Sequence, residues 1–535
     1  MRLSSLLGFF LPVSLASMLS VNLPSLCQEQ ASGSPASKGI GLLEAVRSTL
    51  ELHPLLHLQE KQVEISRALR QQAGGDFDTQ LQWSAGHSRT NLPLIDSERL
   101  SALQAGIDTY NQAANLTTLS GSAQRLLRSG IVIGPRIDMN RTTDNVQSRD
   151  GVNLTRLSFE VNIPLWRGKG REVVTARETS AQLDVDASLY DLNETIAELI
   201  LSTATSYWQY VSSVKQLEIL TGSEARGKEF VESVQALINA DKLPRNEINQ
   251  VQANFAGRSA ARISLEQQVA AARHNLTLAM GMSASQLMDL PMPSDSFPDG
   301  EREIPPSISS DSIRSHIEQA LRLRADFLAA EKKKEAANLL RKTSRNSLLP
   351  RLDLTLSTGY AGLQEGRRPD ELLISPFTNT HGPDILFGLR YSFPLANNLA
   401  HGQVAEAEAS YQQTVLLSAE KARNIGSSVA STLMAVYNGI HQLKLAREAV
   451  TGFQAALEGE KDKLRLGVGS LTDLLTVESR LTDALLALVY AQESYAIKLV
   501  QYRFASGTLI APDKAVQSVD RELFFSPQPK GPSTQ

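Results

Sequence analysis

The chain has 535 residues, a formal net charge of −4 and a single cysteine. Near-neutral charge excludes a basic nucleic-acid binder, and one cysteine excludes a disulfide framework or a four-cysteine zinc module. Hydrophobic residues make up 42% but aromatics only 5%, a balance that suits long helices packed through aliphatic side chains better than an aromatic-lined pocket.

Residues 1–27 read as a secretory signal peptide, with Arg2 as the sole charge and an apolar stretch from Leu6 to Val21. Ser25 and Cys27 stand at −3 and −1 before Gln28. A lipid-anchored alternative would use Cys27, but Leu26 sits where that signal wants a small residue. Beyond this leader no apolar run reaches the roughly 18 residues of a membrane-spanning helix. A helical integral membrane protein is excluded; a β-barrel, whose signal is weak in each strand, is not.

The rest of the chain repeats itself at an offset of roughly 230 residues. A first repeat, 28–282, holds a helix, a strand pair at about 77–88 and 154–165, a long helix over 168–240, a tip at 241–246 and a helix over 247–282. A Pro/Ser-rich linker follows at 283–310. The second repeat, 311–510, has the same order: a helix, strands near 350–360 and 385–395, a long helix over 400–466, a tip at 467–471 and a helix over 472–506. Residues 511–535 form a tail whose end is expected to be disordered.

The long helices have little Gly and no Pro, and at 1.5 Å per residue each reaches about 100 Å. Val429, Leu433, Val436, Ile440, Leu443, Val450, Phe453 and Leu457 recur at the alternating three- and four-residue spacing of a coiled-coil seam. Leu189, Leu192, Ile196 and Leu199 begin a similar stripe in the first long helix. Each long helix is predicted to lie beside two shorter ones, with the tip as the turn of a helical hairpin.

The strands alternate with period two. Leu157, Phe159 and Val161 interleave with Arg156, Ser158 and Glu160; Leu352, Leu354 and Leu356 with Asp353 and Thr355; Phe387, Leu389 and Tyr391 with Gly388 and Arg390. About ten residues suffice to cross an outer membrane when tilted. Arg156, Glu160, Asp353 and Arg390 belong in water, as in a barrel lumen. Four strands cannot close a barrel, and lipid forbids open edges, so identical neighbours must supply the rest. Three copies would give twelve. The sixty or so residues of Thr90–Asp150 read as a long external loop.

The leader, the duplication, the strands ending Ile163-Pro164-Leu165 and Phe393-Pro394-Leu395, and the tip Gly467-Val468-Gly469-Ser470-Leu471-Thr472-Asp473-Leu474-Leu475 together resemble the TolC-type outer-membrane efflux proteins. The resemblance implies a mainly α fold with a β-barrel portion, a homotrimer, a twelve-stranded barrel in outer-membrane lipid and an α-helical tunnel into the periplasm. It implies a passive duct of a tripartite efflux or type I secretion system, not an enzyme and without cofactors. The implied partners are a periplasmic adaptor protein and an inner-membrane pump, RND-type or ABC-type. Asp473 falls where family members place an acid lining the periplasmic aperture; Thr476 replaces a frequent second acid, and Glu247 holds the equivalent place in the first repeat. The hairpin tips, Leu243-Pro244-Arg245 and Gly467, Gly469, Ser470 and Leu471, are the implied adaptor contacts. Gly467 and Gly469 are also expected to supply left-handed backbone to a tight turn.

Other chemistry is weakly marked. Gly222-Ser223-Glu224-Ala225-Arg226-Gly227-Lys228 superficially resembles a phosphate-binding loop but lies within a helix and lacks the following Ser or Thr. His53 and His57 have ligand spacing without a third ligand. The competing function is a secreted coiled-coil scaffold or adhesin without a pore.

Overall fold

The computed structural model describes residues 39–535 except 147, 242, 243, 284–289, 300–308, 367, 369, 467, 511–523 and 526–535. The leader and the far tail therefore lie outside the described residues. Helices dominate: α1 (Leu42–Leu52), α2 (Pro54–Gly74), α3 (Asp96–Gln104), α4 (Arg171–Val174), α5 (Ala176–Asn239), α6 (Glu247–Ala279), α7 (Ser310–Leu323), α8 (Ala325–Ser344), α9 (Glu371–Ile374), α10 (Asn398–Arg465) and α11 (Leu471–Ala505). The long helices α5 and α10 have 64 and 68 residues. No described helix is long and apolar enough to cross a membrane.

Packing follows the apolar seams. α5 lies along α6 and α2, and α10 along α11 and α8. Val436, Ile440 and Leu443 of α10 form one cluster with Tyr495 and Tyr502 of α11. The largest core surrounds the fully buried Trp208 of α5, whose ring meets Tyr207, Phe297 and Phe525 at 5.4–5.7 Å between centroids. Part of the segment read as a linker is built into this core. Ile40 bridges to Pro293, Leu42 N–H donates to Asp295 at 2.7 Å, and the Tyr207 hydroxyl reaches the Ile40 carbonyl and Asp295.

The strands form one antiparallel sheet in sequence order: β1 (Thr79–Pro93), β2 (Asn111–Leu126), β3 (Val132–Asp144), β4 (Val152–Pro164), β5 (Arg351–Glu365) and β6 (His381–Ser392). This corrects the expectation of four strands per protomer. The stretch Thr90–Asp150 is not a simple loop; it holds the end of β1, α3 and two further strands. Runs such as Thr117-Thr118-Leu119-Ser120-Gly121-Ser122 have the composition of a loop, and only the ladder reveals them as strand.

Register sorts the residues cleanly between two faces. Leu81, Trp83 and Ala85 of β1 continue through Ala123, Gly121 and Leu119 of β2, then Ile137 and Met139 of β3, Leu157 and Phe159 of β4, Leu356, Thr358 and Tyr360 of β5, and Ile385, Phe387 and Leu389 of β6. The reverse face carries Gln82, Ser120, Ser122, Arg136, Asp138, Arg156, Glu160, Asp353, Asp384 and Arg390. Gly121 is needed for close approach: a Cβ there would come 2.6 Å from the Trp83 ring that covers it.

Candidate functional site

At the far end of the helices from the sheet, two hairpin tips pack side by side. Val234 and Ile238 of α5, Val251 of α6, and Leu471 and Leu475 of α11 share one apolar cluster, with Ile248 against it. Ser470 caps α11 by accepting from Thr472 N–H at 3.2 Å, a common way to satisfy a free first-turn donor. Leu471 is buried and anchors the tip, whereas Pro244, Arg245 and Ser470 are exposed.

Gly469 differs from the expectation of left-handed backbone, since its φ is not positive. What it supplies is space. Its N–H donates to the Lys463 carbonyl at 3.1 Å, and a Cβ would lie 2.7 Å from the Leu464 nitrogen. Left-handed backbone occurs instead in the first tip, at Asp241 with φ 55°. Leu243 and Gly467 lie outside the described residues.

Asp473 and Glu247 occupy the first turns of α11 and α6, where a carboxylate favours the positive helix end. Asp473 and Thr476 are exposed, and Thr476 spends its hydroxyl on the Thr472 carbonyl at 2.7 Å. Lys463 is held above the usual lysine range, first by its hydrogen bond to Glu460 and in part by Asp473.

A second charged group was not anticipated. Glu478 of α11 is 0% exposed and sits between two arginines from the other repeat. Arg226 of α5 donates to it at 2.9 Å, and Arg258 of α6 pairs with its other oxygen. Ser223 and Thr482 complete the nest at 3.3 Å from the carboxylate. The stretch resembling a phosphate-binding loop is therefore helical, with Ser223 and Arg226 engaged by a carboxylate. The available signal was an acid within the apolar stripe Leu471, Leu475, Glu478, Leu481.

Midway along the helices, Arg324 joins the two repeats. It donates to Glu194 of α5 at 2.8 Å, forks onto Asp326 at 3.0 and 2.9 Å, and reaches the Phe504 carbonyl. Asp326 takes the two-pronged contact and its pKa falls. Burial costs Glu194 more than Arg324 returns, so its carboxyl is raised to about 7.

In the sheet, the structure gathers the four lumen candidates on one face. Arg156 pairs with Asp384 at 3.5 Å, Arg351 with the buried Asp353 at 2.6 Å, and Asp353 stands opposite Arg390 in the ladder. Arg136 and Asp138, paired at 2.7 Å on β3, join this face and were hidden in the stretch read as a loop. His53 caps α2 by accepting from Leu55 N–H, and His57 contacts Glu60; no described group of three His, Cys, Asp or Glu residues is placed to hold a metal.

Comparison with known proteins gives a consistent result. A family model described as outer membrane efflux protein matches residues 316–508. TolC of Salmonella enteritidis is 19% identical over 472 residues, 83% of this chain and 91% of that protein. TolC of Vibrio cholerae serotype O1 is 23% identical over 453 residues, 79% and 96% respectively. The fold is similar to the Campylobacter jejuni CmeC outer membrane channel (TM-score 0.61, 16% identity, 89% and 87% of the two chains) and to Vibrio cholerae VceC (0.60, 17%, 87% and 96%). The family match over the second repeat, the similarity along most of the chain and the shared architecture together make this chain similar to the TolC-type outer-membrane efflux proteins.

Proposed function

We propose that the protein is the outer-membrane exit duct of a tripartite efflux or type I secretion system. It conducts substrates passively from a periplasmic adaptor and an inner-membrane pump to the exterior. The observation that carries this reading is the single sheet with one apolar face, one charged face and two open edges, mounted on paired helices about 100 Å long. An open edge is intolerable in lipid, so identical copies must close the wall around the charged face. A pore-free scaffold has no use for an apolar belt in which Trp83 is 71% exposed.

The helices support the same assembly. Leu55, Leu58, Ile65 and Leu69 leave an apolar stripe exposed along α2, and Leu399, Leu416 and Leu417 are exposed on α10. In a homotrimer such exposed apolar side chains meet neighbouring protomers. Asp473 of α11, with Glu247 in the equivalent first turn of α6, forms a carboxylate ring at the periplasmic constriction, which attracts cations. The exposed tip residues Pro244, Arg245 and Ser470, with the half-buried Gly469 beside Ser470 in sequence, offer the adaptor its contact.

The test is extraction from the outer-membrane fraction, native mass measurement and single-channel recording. A trimer that conducts in a planar bilayer is expected. A monomer indifferent to lipid overturns the reading.

A further inference from the structure

We propose that every protomer contributes six strands to the membrane wall, so that the trimer closes an eighteen-stranded barrel, with β1 of one protomer paired to β6 of the next. This rests on the trimeric duct proposed above and departs from the twelve strands that the family resemblance implies.

The β2–β3 hairpin has the properties of membrane wall over a central belt, Leu119–Ala123 on β2 and Ile133–Met139 on β3. Its strands have 16 and 13 residues, beyond the roughly ten that a tilted crossing needs. Its apolar residues, Leu119, Ile137 and Met139, continue the outer face between β1 and β4 without a break. Its charged residues, Arg136 and Asp138, continue the inner one. A loop lying over the mouth would have no reason to keep both faces in phase with four other strands.

Both ends of the hairpin are fixed at the proper levels. On the periplasmic side the turn Leu127–Ile131 is seated on the helical collar. Arg128 grips Glu178 of α5 through two hydrogen bonds at 3.0 and 2.8 Å and covers the Phe77 ring. Gly130, at φ 95°, approaches so closely that a Cβ would lie 2.4 Å from the Gly168 carbonyl oxygen. On the outer side Asn145 ties the end of β3 to the start of β2, receiving from Ala113 N–H at 2.8 Å and donating to the Asn111 carbonyl at 3.0 Å.

The edges specify the occupant as a second copy of this chain. β1 is exposed along its full length and β6 almost so. With six antiparallel strands, β1 and β6 run in opposite directions, so joining copies head to tail continues the antiparallel pattern. The apolar bands, Leu81–Ala85 on β1 and Ile385–Tyr391 on β6, belong to the same outer face. At strand spacings near 4.8 Å and a 40° tilt, eighteen strands enclose a backbone ring about 36 Å across, against about 24 Å for twelve. The mouth is then not the narrowest part of the duct, and the helical tunnel sets the limit on cargo size.

Cys27 is the chain's one cysteine and lies in the expected leader, so introduced thiols report cleanly. In outer-membrane vesicles, a membrane-impermeant maleimide is expected to label Ser120→Cys, Asp138→Cys and Asn140→Cys but not Leu119→Cys, Ile137→Cys or Met139→Cys. Ser84→Cys combined in turn with Asp384→Cys, Leu386→Cys and Gly388→Cys is expected to yield at least one pair that cross-links protomers into a covalent trimer. Uniform labelling of the hairpin, or cross-linking of Asp138→Cys to β6 in place of β1, overturns the eighteen-stranded wall. Native mass measurement on the same vesicles separates the two proposals: a trimer with a uniformly labelled hairpin removes only this one, whereas a monomer removes both.

Discussion

Arg226 Nε donates to Glu478 Oε1 at 2.9 Å, across the boundary between the two repeats. The acceptor is wholly buried and Arg258 holds its other oxygen, so α5, α6 and α11 are joined through one carboxylate. Removing the charge strands two guanidinium groups. Glu478→Gln is expected to cost about 3 kcal/mol, the lower end for a broken buried pair because Arg226 keeps partial access to water. Hydrogen exchange at the contact between α5 and α11 should accelerate, whereas Glu64→Gln, which breaks the exposed pair with Lys61, should leave exchange and melting unchanged.

The carboxylates in the first turns of α6 and α11 are the proposed lining of the constriction. Asp473→Asn with Glu247→Gln is expected to lower cation preference in bilayer recordings. Thr476→Asp adds an acid one turn from Asp473, on the same side of the helix, and should raise it. If reversal potentials are the same in all three proteins, these residues do not line the constriction.

Glu194 makes the helical midsection sensitive to pH. Burial raises its carboxyl to about 7 in the folded protein, above the ordinary carboxylate value of 4.5. The folded state therefore holds the proton over a range where the unfolded chain has released it, and stability from this group falls as pH rises from about 4.5 through 7. Thermal melting should decline over that window, and Glu194→Gln should flatten this limb. A wild-type profile flat between pH 5 and 8 contradicts it.

Gly130 lets the β2–β3 turn sit against the collar. Gly130→Ala meets both an unfavourable left-handed backbone, costing about 1–2 kcal/mol, and contact with the Gly168 carbonyl. The expected result is a smaller trimeric fraction in outer-membrane extracts, while Gly257→Ala, with open space around it, leaves the fraction unchanged.

Much of this arrangement was legible from local pattern. Val436, Ile440 and Leu443 announced a seam because coiled-coil packing repeats along one helix, and the structure buries all three. Leu352–Tyr360 announced a strand because apolar and polar residues alternate without interruption. β2 and β3 escaped because Thr, Ser and Gly fill much of their length and Pro135 interrupts the ladder, so their identity rests on neighbours distant in sequence. Glu478 escaped for a related reason: nothing within α11 says that Arg226 and Arg258 will come to it. Gly469 was marked correctly as a turn glycine but for the wrong need, since crowding against Leu464 leaves no trace in a sequence.

The aromatic belt around Trp208 has a bearing on biogenesis. Ile40, Phe297 and Phe525 converge on it from the beginning, the middle and the far end of the polypeptide. A chain emerging vectorially into the periplasm cannot finish this cluster until Phe524 and Phe525 have been delivered. Prematurely terminated products would thus carry a gap at their centre, recognisable to quality-control proteases before any sheet reaches the bilayer.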